Sequence, residues 1–162
     1  MGRVHIITGG WDTGKTTSLI KHYKDLGEGT ADGFASIKTY DDTAGDFLGY
    51  TLMRLGTGEH HSLARLKKDF SGNLDGYIEF DRFIFLEGTF VQASKIIEEL
   101  LEDRMIERIF LDEIGPIELE GFGFHKILVK MLKSDKDIYL VVNEHKLQDV
   151  TKKYEIEKYI KM

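Results

Sequence analysis

Apolar positions along the chain fall into two alternating rhythms. The short run "RVHIIT", residues 3 to 8, reads as a buried strand and leads into "GGWDTGKTTSLIKHYKDL", whose second half sets Leu19, Ile20, Tyr23 and Leu26 on one helical face. After Gly27, Gly29 and Gly33, "GFASIKTY" predicts a second strand. Residues 47 to 66 carry a strand pattern on each side of the turn-rich "GTGEHH", which predicts an antiparallel hairpin set beside a parallel core. "RFIFL", 82 to 86, predicts a further strand. Residues 89 to 103 place Phe90, Val91, Ala93, Ile96, Ile97, Leu100 and Leu101 at the period of an amphipathic helix. The alternation then repeats through strand "IERIFLD", helix "FHKILVKMLK" and strand "DIYLVV" at 137 to 142, before a charged C-terminal segment. Strands alternating with helices imply an α/β fold with a mostly parallel sheet, and no linker or internal repeat divides the 162 residues. One domain spanning 1–162 is expected.

Composition narrows the partners. With 41% hydrophobic and 31% charged residues, a globular chain of this length buries about two thirds of its unfolded surface. A net charge of -6 argues against general binding to nucleic acid or anionic membranes, both of which need basic surface. The absence of cysteine excludes disulfides and thiolate metal sites and fits a cytoplasmic location. No apolar run approaches the roughly 20 residues a membrane-spanning helix needs.

The chemistry concentrates in two stretches. Gly9, Gly14, Lys15 and Thr16 match G-x-x-x-x-G-K-[ST], the Walker A pattern, between a predicted strand and a predicted helix. Glycines let such a loop wrap phosphate oxygens with inward backbone N–H groups, and the following helix presents its positive end. The expected nucleotide-binding residues are Gly9, Gly10, Trp11, Asp12, Thr13, Gly14, Lys15, Thr16 and Thr17. Lys15 is expected at the β- and γ-phosphates, and the Thr16 hydroxyl on Mg²⁺.

The second stretch is "IFLDEIGPIEL", 109 to 119, which ends an apolar strand on adjacent carboxylates and then turns at Gly115 and Pro116, the chain's single proline. Ligands of open α/β sheets sit at the carboxyl ends of strands, so Asp112 is expected beside the phosphate loop as a second Mg²⁺ group, directly or through water. Glu113 is expected to face the γ-phosphate and orient or deprotonate the attacking water. The competing reading makes both acids ordinary surface caps at a strand end.

Together "TGGWDTGKTT" and "IFLDEIGPIEL" resemble the THEP1-type nucleoside-triphosphatase family of P-loop proteins, with "GFASIK", "GYTLMRLGTGEHHSLARL" and "FDRFIFLEGTFVQASKIIEELL" following in that family's order. The resemblance implies a RecA-like or kinase-like three-layer P-loop fold and Mg²⁺-dependent hydrolysis of ATP, GTP and other nucleoside triphosphates. It also implies that Gly9 to Thr17 form the phosphate loop, with Asp112 on the magnesium side, Glu113 as catalytic base, and Glu118 at a family position of underived role. Trp11-Asp12 departs from the small residues usual there, and Trp11 reads equally as a base-stacking group or a packing lid. The segment "VVNEHKLQDV" lacks the arginine that would supply a transition-state cation. Arg54 and Arg65, in the predicted hairpin, are the candidates for that cation, against the reading that each is a solvated surface residue. His60-His61 reads as a pair of turn residues, and the C-terminal "KLQDVTKKYEIEKYIKM" as a solvated face. Two rivals remain: a nucleotide or small-molecule kinase, and a nucleotide-binding switch that needs a protein partner for activity.

Overall fold

The computed structural model describes residues 2–10, 13–27 and 29–162. Strand β1 (Val4–Gly9) leads into helix α1 (Lys15–Asp25), and β2 (Ala31–Tyr40) is followed by β3 (Phe47–Arg54) and β4 (His60–Leu66). Next come β5 (Tyr77–Phe80), β6 (Phe83–Leu86), α2 (Glu87–Glu102) and β7 (Arg108–Ile114). The chain ends with α3 (Pro116–Leu119), α4 (His125–Lys133), β8 (Asp137–Asn143), α5 (Leu147–Lys153) and β9 (Ile160–Lys161).

All these strands join one sheet in the order β5-β6-β4-β3-β2-β7-β8-β1-β9. The half from β2 to β9 is parallel, and the half from β2 out to β5 is antiparallel. The expected hairpin of residues 47 to 66 is present as β3 and β4. The sheet is not mostly parallel, however, because β3 to β6 form an antiparallel wing, in which "RFIFL" supplies the expected further strand as β6. It pairs with β5, which the sequence pattern did not announce, across the tight turn Asp81-Arg82, with Asp81 at φ 53. Aspartate tolerates that left-handed backbone, yet "DR" lacks the glycine that usually marks a hairpin turn.

Alternation along the parallel strands supplies both faces of the sheet. Ile109 and Leu111 of β7, with Ile138, Leu140 and Val142 of β8, join the core covered by α2 and α4. Phe110, Tyr139 and Val141 point the other way, toward Leu19 and Tyr23 of α1. Phe110 is fully buried, stacked on Tyr139 at 4.4 Å and meeting Tyr23 edge-on at 5.9 Å. Helix α2 buries Phe90, Ala93, Ile97 and Leu100 of the predicted stripe, while Ile96 and Leu101 are half-buried and Val91 is exposed. Each of the large buried side chains among them contributes about 1.5–3 kcal/mol relative to exposure.

The C-terminal segment differs from a solvated face. Val150 of α5 is fully buried, Ile156 nearly so, and β9 adds a parallel edge to β1. The Tyr154 hydroxyl donates to the Glu118 carbonyl at 3.1 Å, and Lys153 donates to the Leu119 carbonyl at 2.7 Å. The segment therefore fastens α3. His60 and His61 also differ from expectation: they are the first residues of β4, not turn residues, and His60 Nδ1 lies 2.9 Å from the Thr51 hydroxyl.

Candidate active site

The loop between β1 and α1 is shaped by glycine at two points. Gly14 has φ 77, the left-handed region that an L side chain resists, and it forms the N-terminal cap of α1. A Cβ on Gly9 would lie 2.6 Å from the Thr13 hydroxyl, so a side chain there would have to displace that hydroxyl. The Gly10 carbonyl accepts from the Thr13 hydroxyl at 2.8 Å and from the Lys15 ammonium. The loop after β8 braces it, with the Glu144 N–H donating to the Gly9 carbonyl at 3.1 Å. Lys15, Thr16 and Thr17 open α1. Trp11 and Asp12 lie outside the described residues.

Asp112 meets this loop. Its Oδ2 accepts from the Thr16 hydroxyl at 2.7 Å and from the Ser36 N–H at 3.0 Å, while Oδ1 accepts from the Glu113 N–H at 2.9 Å. The carboxyl is buried, and burial, aided by the neighbouring Glu113 charge, pushes its pKa up to about 7 against those three hydrogen bonds. Asp112 is therefore no surface cap, whereas Glu113 is exposed.

The strand does not end at the acids. Leu111 pairs with Leu140 and Ile114 with Val142, so three steps on β7 match two on β8 and the pair Asp112-Glu113 forms a bulge. Glu113 has φ 57. A bulge adds a residue and re-aims the side chains around it, which lets Asp112 turn into the protein while Glu113 faces the solvent-filled cleft. Surrounding protein raises the Glu113 pKa, opposed first by Lys15 and then by Lys38.

A cleft of about 430 Å³ follows the phosphate loop, bounded by Thr13 to Thr17 on one side and by Ser36, Lys38, Tyr50 and Glu113 on the other. Gly9 and Gly10 do not line it. Ser36 and Lys38 are functional candidates that the sequence reading missed. The available signal was the two-residue alternation of "SIK" at the carboxyl end of β2, which sets both on one face of the strand.

The arginines lie elsewhere. Arg54 donates to Asp32 at 3.0 and 2.9 Å through Nε and Nη2, and Asp32 also accepts from the N–H groups of Gly33 and Gly56. Arg54 is therefore neither a finger nor a solvated residue; it ties the hairpin to the start of β2. Arg65 is exposed and does not line the cleft.

Glu118 has a structural role. Its Oε1 accepts from the Gly115 N–H and its Oε2 from the Phe124 N–H, both at 3.0 Å, joining the start of α3 to the start of α4. Burial pushes its pKa up to about 7. The sequence signal was Pro116 at the first helical position with glutamate two residues on, a helix-start pattern.

A family model described as NTPase matches residues 4–162. The chain belongs to the NTPase family. The THEP1 nucleoside-triphosphatase of Methanocaldococcus jannaschii is 28% identical over 143 residues, which cover 86% of this chain and 77% of that protein. A human cancer-related nucleoside triphosphatase solved in solution shares the fold, with a TM-score of 0.72 at 20% identity, over 99% of this chain and 88% of the other. These relatives bear out the resemblance to THEP1-type proteins. This NTPase has, among its described residues, no helix long and apolar enough to cross a membrane and no cluster of three or more His, Cys, Asp or Glu gathered to hold a metal ion.

Proposed function

We propose that this NTPase hydrolyses nucleoside 5'-triphosphates, ATP and GTP among them, to the diphosphate and phosphate with Mg²⁺ as cofactor, on a single P-loop domain in the cytoplasm. The observation that carries this reading is the 2.7 Å hydrogen bond from Thr16 to Asp112, which joins the phosphate loop to the acidic strand end with Glu113 beside it in the cleft.

The donor set fits Mg²⁺. Thr16 gives its proton to Asp112 and keeps its oxygen lone pairs for a cation, while Asp112 adds a hard carboxylate oxygen to hold a metal-bound water. An oxygen-only pair with the remaining positions left to phosphate and water is the arrangement Mg²⁺ favours. Held by Thr16 and Asp112, such an ion would supply positive charge against the phosphate oxygens. The buried Asp112 has an unfavourable ionised form on its own, and a cation beside it reverses that preference.

The remaining roles belong to the chain. Backbone N–H groups of Gly9 to Thr17 hold the α- and β-phosphates, and Lys15 moves from the Gly10 carbonyl onto the β- and γ-phosphates. Lys38 supplies, from the opposite wall, positive charge that the arginines do not bring. Glu113 orients the water that attacks the γ-phosphorus and accepts its proton.

Phosphate release from ATP and GTP with Mg²⁺ tests the assignment beside Lys15→Ala and Glu113→Gln. Glu113→Gln is expected to lower kcat by at least 100-fold, on the order of a general base's contribution, while nucleotide still binds. Lys15→Ala is expected to weaken binding as well. Undiminished release by Glu113→Gln would remove the base from Glu113.

A further inference from the structure

A second cavity, of about 560 Å³, opens on the other side of Glu113 from the phosphate cleft. Its walls are aromatic: Phe80, Phe83 and Phe85 come from the β5–β6 hairpin, Phe90 from α2 and Phe124 from the start of α4. Phe90 and Phe124 meet edge to face at 4.9 Å, and Phe85 stacks on Phe90 at 6.1 Å. A space of this size falls within the range of about 300–1,000 Å³ typical of small-molecule sites. Hydrolysis needs only a water beside Glu113 and gives no reason for a ring-lined chamber there.

The inner end of the chamber is polar. Ser36 and Glu113 border both cavities, so they stand on the boundary between the phosphate cleft and the aromatic space. Ser36 is buried. Its N–H is committed to Asp112, but its hydroxyl has no hydrogen-bond partner among the described residues. A buried hydroxyl left in that state is unfavourable, and a ligand hydroxyl at the same point would satisfy it. Asp81, Arg82, His145 and Lys146 also line the cavity, a mixture of charges that does not demand a charged ligand.

We propose that this cavity binds a hydroxylated aromatic small molecule, its ring among the phenylalanines and its hydroxyl between Ser36 and Glu113, where it accepts the γ-phosphoryl group in place of water. The proposal rests on the triphosphate lying in the phosphate loop as assigned above. The nucleotide's own base does not compete for the chamber, because Glu113 marks the γ-phosphate end and the base lies at the other end of the triphosphate. In the transfer, the ligand oxygen forms a bond to the γ-phosphorus as the bond from that phosphorus to the β–γ bridging oxygen breaks. The electron pair leaves with the nucleoside diphosphate, and the hydroxyl proton passes to the Glu113 carboxylate.

The test uses the full chain with Mg²⁺ and three probes: benzyl alcohol, 4-hydroxybenzyl alcohol and 2-naphthol. With a non-hydrolysable ATP analogue present, at least one probe is expected to give saturable NMR shifts at the rings of Phe85, Phe90 and Phe124. With ATP, the same probe is expected to yield a phosphate ester by phosphorus NMR. Phe85→Trp, which fills the chamber, is expected to cut ester formation at least tenfold, and Leu63→Phe repeats the filling from another strand should the first variant fail to fold. Absence of saturable shifts from all three probes would overturn the proposal. So would binding without ester, or ester formation undiminished in the filled variant. Phosphate release without added probe is read separately: release without ester removes the acceptor chamber alone, and loss of both removes the proposed hydrolysis too.

Discussion

Glu118 accepts two backbone N–H groups from the starts of two different helices. Glu118→Ala leaves the buried N–H groups of Gly115 and Phe124 without acceptors, at about 3 kcal/mol in total. Thermal unfolding should register this as a clear fall in midpoint. Titration adds a second signature. The folded pKa of Glu118 is raised to about 7 by burial, above its ordinary value near 4.5, so the folded protein binds the extra proton between those values. Its contribution is therefore greatest at the acidic end of that window and is lost as pH rises through about 7. Metal-free protein should melt higher at pH 5.5 than at pH 7.5 on account of this group. Glu118→Gln, though less stable throughout, should show a flatter dependence. A slope unaltered by the substitution would place the titration elsewhere.

Among the elements, the turn of the β3–β4 hairpin has its own anchor. Asp32 at the start of β2 receives Arg54 and the Gly56 N–H, so the turn end of the hairpin is pinned beside the parallel half of the sheet. Asp32→Asn loses the charge pair while keeping the shape, and hydrogen exchange should quicken at 55 to 59 by tenfold or more. Phosphate release should persist, since Arg54 does not line the cleft. This anchor illustrates what sequence patterns carry. Helix α2 and hairpin β3–β4 announce themselves because burial imposes a period on local residues, and the phosphate loop does so because glycine and lysine are chemically specific. The β5–β6 wing stays hidden behind its glycine-free turn. Asp32 with Arg54 is invisible for another reason: the two are 22 residues apart and meet only once the register of β2 against β3 is set. The acids of β7 stand out in the sequence, whereas the bulge that separates their directions does not, because it is defined by pairing with β8. Ser36 and Lys38 were legible only as alternate positions on a strand, and nothing local assigns that face to the site.

For the whole molecule, a net charge of -6 repels a triphosphate, and on the proposed site Lys15 and Lys38 are the positive charges that would draw it in. With the ligand at the proposed site, where the β1–α1 loop meets β7 and β2, binding should stabilise the entire fold. At 100 times Kd, a non-hydrolysable ATP analogue with Mg²⁺ adds about 2.7 kcal/mol, or about 5–10 °C in Tm for a chain of this size. Lys15→Ala should lose most of that shift at the same ligand concentration. The left-handed backbone at Glu113 sets a different whole-molecule property. An ordinary side chain in that region costs about 1–3 kcal/mol, and this one also carries a carboxylate next to the buried Asp112. Asparagine tolerates the conformation better and removes the like charge. Glu113→Asn should therefore raise Tm by about 2–4 °C per kcal/mol recovered while abolishing phosphate release. Laboratory evolution for heat resistance alone would discard this glutamate, and its retention would have to be enforced by selecting for turnover at the same time.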